Sequence, residues 1–215
     1  MRWGTHSYGY ANAAGTIPAT ISSSGCGLLS LVNAVYYMTG SFLDPGKLAD
    51  WATAHGYRQN GVGTVHSLYQ AYADAYGSTY GFAFAGNASS LSQIRSFLHN
   101  GGTAIISTDH HLMCVVDYDE AKGGYLLLDS APSPYRGTYP VGYRYLSDQD
   151  FAQSIPVYAI MMLRAVPAKK KEMPVPAFPL NAPAQKSGAE EMFNYIARCY
   201  REEYLIGLHL PVPMA

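Results

Sequence analysis

Charged side chains are scarce in this sequence, and neither sign is in excess. Asp, Glu, Lys and Arg together make up 13% of the 215 residues, and the formal net charge is -1. A chain so close to neutrality exerts no long-range attraction on the phosphates of nucleic acids or on anionic membrane surfaces. We therefore expect a peptide, an amide or a small molecule as the partner, and no nucleic acid.

Long apolar runs and an even set of cysteines are also lacking. No run approaches the length of about 20 apolar residues that crosses a bilayer, and the first ten residues have no apolar core of an export signal. We expect no membrane insertion, and the localisation stays open because a mature fragment of a secreted protein would look the same. Cys26, Cys114 and Cys199 are odd in number and widely spaced, so a disulfide framework is not expected.

Hydrophobic residues, at 48% of the chain, suffice for the core of one compact domain. The first half of this domain is predicted to be helical. Apolar residues recur at helical spacing over residues 27–39, and Gly40 follows as a stop signal. The first helix is therefore expected to begin at Cys26.

Three more helices are predicted before residue 102. One has Asp44 as its N-cap, Pro45 in its first turn and Gly56 beyond its end. The next is expected to start at a Thr64 cap and to stop at Gly77. The last has an apolar face formed by Leu91, Ile94, Phe97 and Leu98.

After residue 102 the pattern changes from helical to strand spacing. Short β-branched or aromatic runs, separated by turn-forming residues, indicate the strands of one antiparallel sheet. The runs are "TAIIST", "HLMCVVDY", "GYLLLDS" and "VYAIMMLRA". Helices followed by strands predict an α+β domain over residues 1–165, in which the first helix packs on the sheet and the groove between the two halves is the natural site.

Two further segments follow this domain. Residues 166–186 hold five prolines and a lysine triplet, which predicts a Pro-rich, semi-extended linker. Residues 187–215 are expected to form a helix with an apolar stripe and a short tail. An exposed apolar stripe needs a partner, so we expect this helix to dock on the domain, either within its own chain or across a homodimer.

Cys26 stands between two glycines, in the stretch "SSSGCGLL", at the predicted N-terminus of the first helix. Unpaired backbone N–H groups and the positive end of the helix dipole favour a thiolate there, and the thiolate is the reactive form of cysteine. The glycines would let a substrate backbone approach, and the Cys26 N–H could face the oxyanion of an attacked carbonyl. The alternative is a small buried apolar residue, as most free cysteines are.

A thiolate nucleophile needs a base, and of the seven histidines only His110 and His111 open a predicted strand. Asp129 ends the next strand, after a turn around "DEAKGG". If that turn centres on Ala121, Asp129 lies opposite Met113, on the same face as His111 and within reach of its ring. A slip of one residue would turn Asp129 to the other face.

A metal or phosphate site is not expected. His111 and Cys114 would project to opposite faces of one strand, so they cannot both bind one ion. The glycine-rich "GVGT" at residues 61–64 has no preceding strand and no phosphate-binding lysine. We therefore expect neither a metal ion nor a cofactor.

Four stretches of the sequence together carry a resemblance to a known family. They are "GTIPATISSSGCGLLSLVNAVYYMTG", "DPGKLADWATAHGY", "GVGTVHSLYQAYADAYG" and "HLMCVVDYDEAKGGYLLLDSAP". Over residues 3–165 the chain resembles the peptidase C thirty-nine-like group of papain-like cysteine peptidases, which are related to the domains that trim bacteriocin leader peptides at double-glycine sites. The resemblance implies Cys26 as nucleophile, His111 as base and Asp129 as the residue that orients the imidazole.

The sequence departs from that family at three positions. Leu28 replaces the usual proline after "GCG", and His110 replaces a frequent glycine. Six residues before Cys26, where papain-like enzymes commonly carry a glutamine as second oxyanion donor, this chain has Thr20. Candidate substitutes for that donor are Ser22, Ser23, Ser24 and Asn12.

The sequence therefore predicts a cysteine peptidase that hydrolyses a peptide bond through a Cys-His-Asp triad. The same chemistry with an amine as acceptor would give an amide or acyl transferase of the transglutaminase type. Since losing one oxyanion donor costs about a hundredfold or more in rate, a catalytically weak domain that binds peptides is the third hypothesis.

Overall fold

The computed structural model describes residues 3–130 and 142–167, and for residues 142 and 143 the backbone only. The predicted C-terminal helix, the homodimer it would form, Cys199 and all of the predicted linker except Val166 and Pro167 lie outside the described residues. Within them the chain is a mixed α+β structure with a six-stranded antiparallel sheet. This confirms the predicted fold class at that level.

Besides a short 3-10 helix at Trp3–Thr5, the described residues form six helices. They are α1 (Ile21–Ser24), α2 (Cys26–Thr39), α3 (Pro45–Ala54), α4 (Leu68–Tyr80), α5 (Leu91–His99) and α6 (Asp148–Gln153). At two of these helices the structure contains the start or stop signal that the sequence predicts. Gly40 adopts the left-handed conformation that ends α2, with φ 71°, and the Asp44 carboxylate accepts a hydrogen bond from the Lys47 N–H at the start of α3.

The described residues also form ten strands. They are β1 (Ser7–Tyr10), β2 (Pro18–Thr20), β3 (Arg58–Gln59), β4 (Gly63–Thr64), β5 (Phe82–Ala88), β6 (Thr103–Thr108), β7 (His111–Asp119), β8 (Gly124–Asp129), β9 (Gly142–Ser147) and β10 (Ala159–Ala165). The main sheet has the order β5-β10-β6-β7-β8-β9, with antiparallel neighbours throughout. Strands β1 and β2 form one small hairpin, and β3 and β4 form another.

The sheet separates two hydrophobic clusters. Helix α2 packs on one face, where Leu28, Leu31 and Val35 are fully buried with Cys114 and Leu128. Helix α5 covers the other face with a second cluster, which contains Ile94, Leu98, Met113, Val115 and Leu127. The apolar stripe of α2 is thus buried against the central strands, and the N-terminus of this helix lies beside the start of β7.

The predicted limits of the third helix are wrong. Thr64 lies in β4, where its hydroxyl shares a buried 2.9 Å hydrogen bond with the Tyr8 hydroxyl, and Ser67 precedes α4 instead. Gly77 lies inside α4 and does not end it. The residue is a glycine there because the backbone carbonyl of Phe82 occupies the space that a Cβ would need. The actual stop is Gly81, which has φ 80°.

Candidate functional site

Cys26 is the first residue of α2, and a short helix leads the chain to it. The Thr20 hydroxyl accepts a hydrogen bond from the Ser23 N–H and the Ser23 hydroxyl accepts one from the Thr20 N–H, a capping box that starts α1. Gly25 ends α1 and also precedes α2, and its carbonyl accepts a hydrogen bond from the Leu29 N–H at 2.9 Å. Cys26 therefore lies in the first turn of α2, where backbone N–H groups have no partner within the helix.

Gly27 allows the start of α2 to approach two other elements. A Cβ at this position would come within 2.5 Å of the Thr64 Cβ and within 2.9 Å of Leu112 Cδ1. The Tyr69 hydroxyl donates a hydrogen bond to the Gly27 carbonyl at 3.3 Å, and the Ser30 hydroxyl donates one to the Leu112 carbonyl at 3.0 Å. These contacts fix the N-terminus of α2 against β4 and the first residues of β7.

His111 opens β7, and its ring reaches the carboxylate that ends β8. His111 Nε2 lies 2.7 Å from Asp129 Oδ1, and the two side chains are only 10% and 4% exposed. Cys114 pairs with Leu128, so Asp129 falls opposite Met113 when the register is continued by one residue. This is the register that the sequence predicts, and it places Asp129 on the same face as His111.

A β-bulge produces this register. Next to the turn, Asp119 pairs with Gly124 and Tyr118 with Tyr125, and this register, continued along the strands, would place Asp129 opposite Cys114. An extra residue between Val115 and Asp117 shifts the pairing by one position. The bulge therefore turns Asp129 towards His111.

The Cys26 thiol and the His111 imidazole shift each other's pKa through hydrogen bonding and charge. Burial raises the pKa of the Cys26 thiol, but the hydrogen bond and the charge of His111, with smaller help from the N–H groups of Leu112 and Gly27, bring it below its ordinary value. Burial lowers the pKa of His111, yet its hydrogen bonds to Asp129 and Cys26 raise it to about 9. The arrangement thus favours the thiolate of Cys26 and the imidazolium of His111 over their neutral forms.

A buried arginine lies behind the carboxylate. Arg144 Nη1 is 3.6 Å from Asp129 Oδ2, and the arginine side chain is almost fully buried. Arg144 pairs with Leu127 across β8 and β9, which places it next to Asp129 on the edge of the sheet. One oxygen of the carboxylate thus faces His111 and the other faces a permanent cation. The sequence predicts no role for Arg144, because only its pairing across two strands brings it to the site.

The other histidine of the pair does not enter this arrangement. The side chain of His110 is 95% exposed, its backbone has φ 55°, and its Nε2 lies 3.3 Å from Asp109 Oδ1. Cys114 is fully buried on the α2 face, and burial raises the pKa of its thiol well above the usual range. Of the two cysteines in the described residues, only Cys26 is partly exposed.

The candidate substitutes for the missing glutamine all have local hydrogen-bond partners. Asn12 Nδ2 donates to the Thr16 hydroxyl, and Asn12 Oδ1 accepts from the Thr16 and Ile17 N–H groups. The Ser22 hydroxyl lies 3.0 Å from the Thr20 hydroxyl, and the Ser24 hydroxyl lies 3.4 Å from that of Ser23. Each of these side chains is thus already engaged in a local hydrogen bond.

Three further observations concern the described residues as a whole. A cavity of about 560 Å³ lies between α5 and the segment that joins α6 to β10, and neither Cys26, His111 nor Asp129 lines it. No group of three or more His, Cys, Asp or Glu residues is placed to hold a metal ion in residues 3–130 and 142–167. In the same ranges no helix has both the length and the apolar character to span a membrane.

Comparison with known proteins adds no relative. No protein-family model, no curated protein and no solved structure matches this chain.

Proposed function

We propose that the chain is a papain-like cysteine peptidase of the C thirty-nine-like kind, with Cys26 as nucleophile. The observation that carries the proposal is the continuous series of contacts from Cys26 to His111 to Asp129. A nucleophile, a base and a residue that orients the base are the three parts that covalent hydrolysis needs. The sequence pattern that resembles the family supplies the same three residues.

The geometry supports a two-step mechanism without a cofactor. The Cys26 thiolate attacks the carbonyl carbon of the scissile bond, and the Cys26 N–H donates to the oxygen that becomes negatively charged. His111 then gives its proton to the leaving amine, which departs and leaves a thioester on Cys26. Next, His111 takes a proton from water, the hydroxide attacks the thioester, and the acid product departs, which restores the Cys26 thiolate and the protonated His111.

Asp129 has an orienting role in this scheme. Its Oδ1 accepts a hydrogen bond from His111 Nε2, so Nδ1 is the ring nitrogen that remains for the thiol. The negative charge of the carboxylate also stabilises the imidazolium that forms when His111 takes up the thiol proton. With an amine in place of water in the second step, the same residues would act as an amide or acyl transferase.

A second candidate function is peptide binding with weak catalysis or none. It is favoured by one observation: Thr20 occupies the position of the expected glutamine, and its hydroxyl is engaged in the capping of α1. The oxyanion would then have backbone donors only, and losing one donor costs about a hundredfold or more in rate.

Exposure to a peptide library, with products identified by mass spectrometry, tests the proposal. We expect cleavage by the wild-type protein and none by the Cys26→Ser variant, since serine lacks the thiolate. A peptidyl vinyl sulfone, which forms a stable thioether with an activated thiolate, should label Cys26 in parallel. Labelling without cleavage would favour the weak or binding function. Incubation of a cleaved peptide with an added amine distinguishes hydrolysis from transfer, because hydrolysis yields a free acid and transfer yields the amide of the added amine.

A further inference from the structure

Exposed apolar side chains are concentrated in the two small hairpins. Five large hydrophobic residues are exposed in the described part of the chain, and three belong to these hairpins: Tyr10 at 41%, Ile17 at 56% and Val62 at 71%. We call residues 7–20 and 58–64 together the hairpin surface. Exposed apolar groups that cluster in this way are a mark of a binding surface.

The two hairpins form one unit through backbone contacts. The Tyr10 carbonyl accepts hydrogen bonds from Arg58 Nη2 at 2.8 Å and from the Gly61 N–H at 3.4 Å. The Ala11 N–H donates to the Ile17 carbonyl at 2.8 Å, which closes the first hairpin. Gly61 also has the backbone of Ala13 so close that a Cβ would collide with it.

This unit is continuous with the proposed nucleophile. The first hairpin leads through β2 and α1 directly to Cys26, and the second ends at Thr64, which touches Gly27. The Tyr8 and Thr64 hydroxyls join the two hairpins at 2.9 Å, beneath the start of α2. The buried end of the hairpin surface, at Tyr8 and Thr64, thus lies beside the start of α2, where Cys26 would meet the substrate carbonyl.

The hairpin surface carries no exposed charge. No Asp, Glu, Lys or Arg occurs from Ser7 to Leu43 or from residue 59 to residue 73. Between these ranges Asp44, Lys47 and Asp50 lie outside the hairpin surface, and Arg58 is the one charged residue within it. Arg58 is buried, and its guanidinium donates hydrogen bonds to backbone carbonyl oxygens. These belong to Tyr8, Gln59 and Tyr10. A charged substrate side chain would lose hydration there without gaining a counter-ion, whereas an apolar one would gain burial.

We infer that the hairpin surface selects the substrate: an uncharged polypeptide segment with a large apolar residue near the scissile bond. The inference rests on the proposed function, and it adds the class of substrate that this site takes. Tyr10, Ile17 and Val62 provide the apolar contacts. The absence of exposed charge rejects segments with Asp, Glu, Lys or Arg at the same positions.

Matched thiol-reactive probes test the inference. Peptidyl vinyl sulfones of one length, with Leu, Asp or Lys beside the reactive group, are compared with iodoacetamide. The iodoacetamide rate at Cys26 measures the reactivity of the thiolate without any contact between the protein and a peptide. We expect the Leu probe to react about tenfold or more faster than the Asp and Lys probes, because each methylene in contact with an apolar site contributes about tenfold. In Ile17→Ser and Val62→Ser, the ratio of the Leu-probe rate to the iodoacetamide rate should fall about tenfold.

Tyr158→Ser is the control variant. Tyr158 is 67% exposed but lies outside the hairpin surface, before β10, so its replacement should leave this ratio unchanged. Equal rates for the Leu, Asp and Lys probes, with fast iodoacetamide labelling of Cys26, would overturn the substrate inference and leave the proposed function intact. An ordinary iodoacetamide rate at Cys26 would overturn the proposed function itself. A dimer that Ile17→Ser converts to monomer would assign the hairpin surface to contact between copies and also overturn the inference.

Discussion

His111 and Asp129 lie on neighbouring antiparallel strands with Nε2 of the imidazole 2.7 Å from Oδ1 of the carboxylate. Both side chains are largely buried, so little water competes for this hydrogen bond. The contact leaves the opposite nitrogen of the ring for Cys26. The position of the Asp129 carboxylate thereby determines which nitrogen of the His111 ring is left to face the Cys26 thiol.

Replacing His111 should deactivate the Cys26 thiol. In His111→Ala the hydrogen bond and the positive charge that lower the thiol pKa are gone, while burial, which raises it, partly remains. We expect the alkylation rate of Cys26 at pH 7 to fall at least about tenfold, since each unit of pKa changes the thiolate fraction about tenfold in this range. The exposed His110 supplies the matched control. A His110→Ala variant that slows alkylation as much as His111→Ala would contradict the assignment.

Replacing Asp129 should affect both the thiol and the stability. In Asp129→Asn the imidazolium of His111 loses its counter-ion, so alkylation of Cys26 at pH 7 should slow about tenfold or more. The buried Arg144 loses its partner carboxylate as well, so unfolding in urea should show a loss of about 3 kcal/mol.

A double variant separates these two effects. In Asp129→Asn with Arg144→Met, both members of the buried ion pair lose their charge, so we expect stability to recover towards the wild-type value. Alkylation of Cys26 at pH 7 should remain as slow as in the single Asp129→Asn variant. Recovery of alkylation together with stability would show that Asp129 acts on Cys26 only through the fold.

Gly27→Ala should push the start of α2 away from β4 and β7. The added Cβ would meet Thr64 and Leu112 at distances that real contacts do not show. Overpacking of this kind costs about 1–3 kcal/mol, so the urea midpoint should decrease. Because the shift moves Cys26 relative to His111, alkylation at pH 7 should slow as well. An unchanged midpoint and rate would contradict the close approach that the structure shows.

The paired pKa shifts predict how stability depends on pH. A His111 pKa raised from 6.5 to about 9 adds stability that is complete below pH 6.5 and is lost as pH rises to about 9. The lowered pKa of Cys26 has the opposite sign: its contribution is present above the ordinary thiol pKa and is lost as pH falls through the folded value. At pH values between the folded pKa of Cys26 and about 9, folding adds a proton to His111 and removes one from Cys26, so the pH dependences of the two contributions cancel.

Replacing the Cys26 thiol should make the pH dependence that His111 gives to the stability measurable. In Cys26→Ala, Asp129 still raises the His111 pKa, so the variant should lose stability relative to wild type as pH rises above 6.5, with a slope of up to about 1.4 kcal/mol per pH unit. Urea unfolding of both proteins at several pH values measures the difference. Parallel stability curves would mean that the two groups do not exchange a proton on folding.

The sequence predicted the parts of the fold whose signals are local. The start of α2 at Cys26, its stop at Gly40 and the Asp44 cap of α3 follow from neighbouring residues, and the structure has them. Four of the six strands of the main sheet were also predicted. The edge strands β5 and β9 were missed. The glycine in "FAFAGNA" weakens the strand pattern of β5, and β5 depends on β10, a partner that is distant in sequence.

The register of β7 and β8 was predicted correctly through two compensating differences. The hairpin centres between Ala121 and Lys122, whereas the sequence predicts a centre on Ala121. By itself this difference would turn Asp129 to the wrong face. The bulge after Val115 shifts the strand back by one residue. A run such as "HLMCVVDY" carries no local signal for a bulge, because twist and the packing of both faces decide where an extra residue is accommodated.

The rate of alkylation by iodoacetamide across pH, with mass mapping of each cysteine, tests the central claim most directly. We expect that Cys26 reacts well below pH 8 and that its rate follows a thiol pKa below the ordinary value of 9.0. Cys114, which is fully buried, should react only when the protein unfolds. A Cys26 rate that rises only with an ordinary thiol pKa, or equal reactivity of Cys26 and Cys114 in the folded protein, would contradict an activated nucleophile at the start of α2.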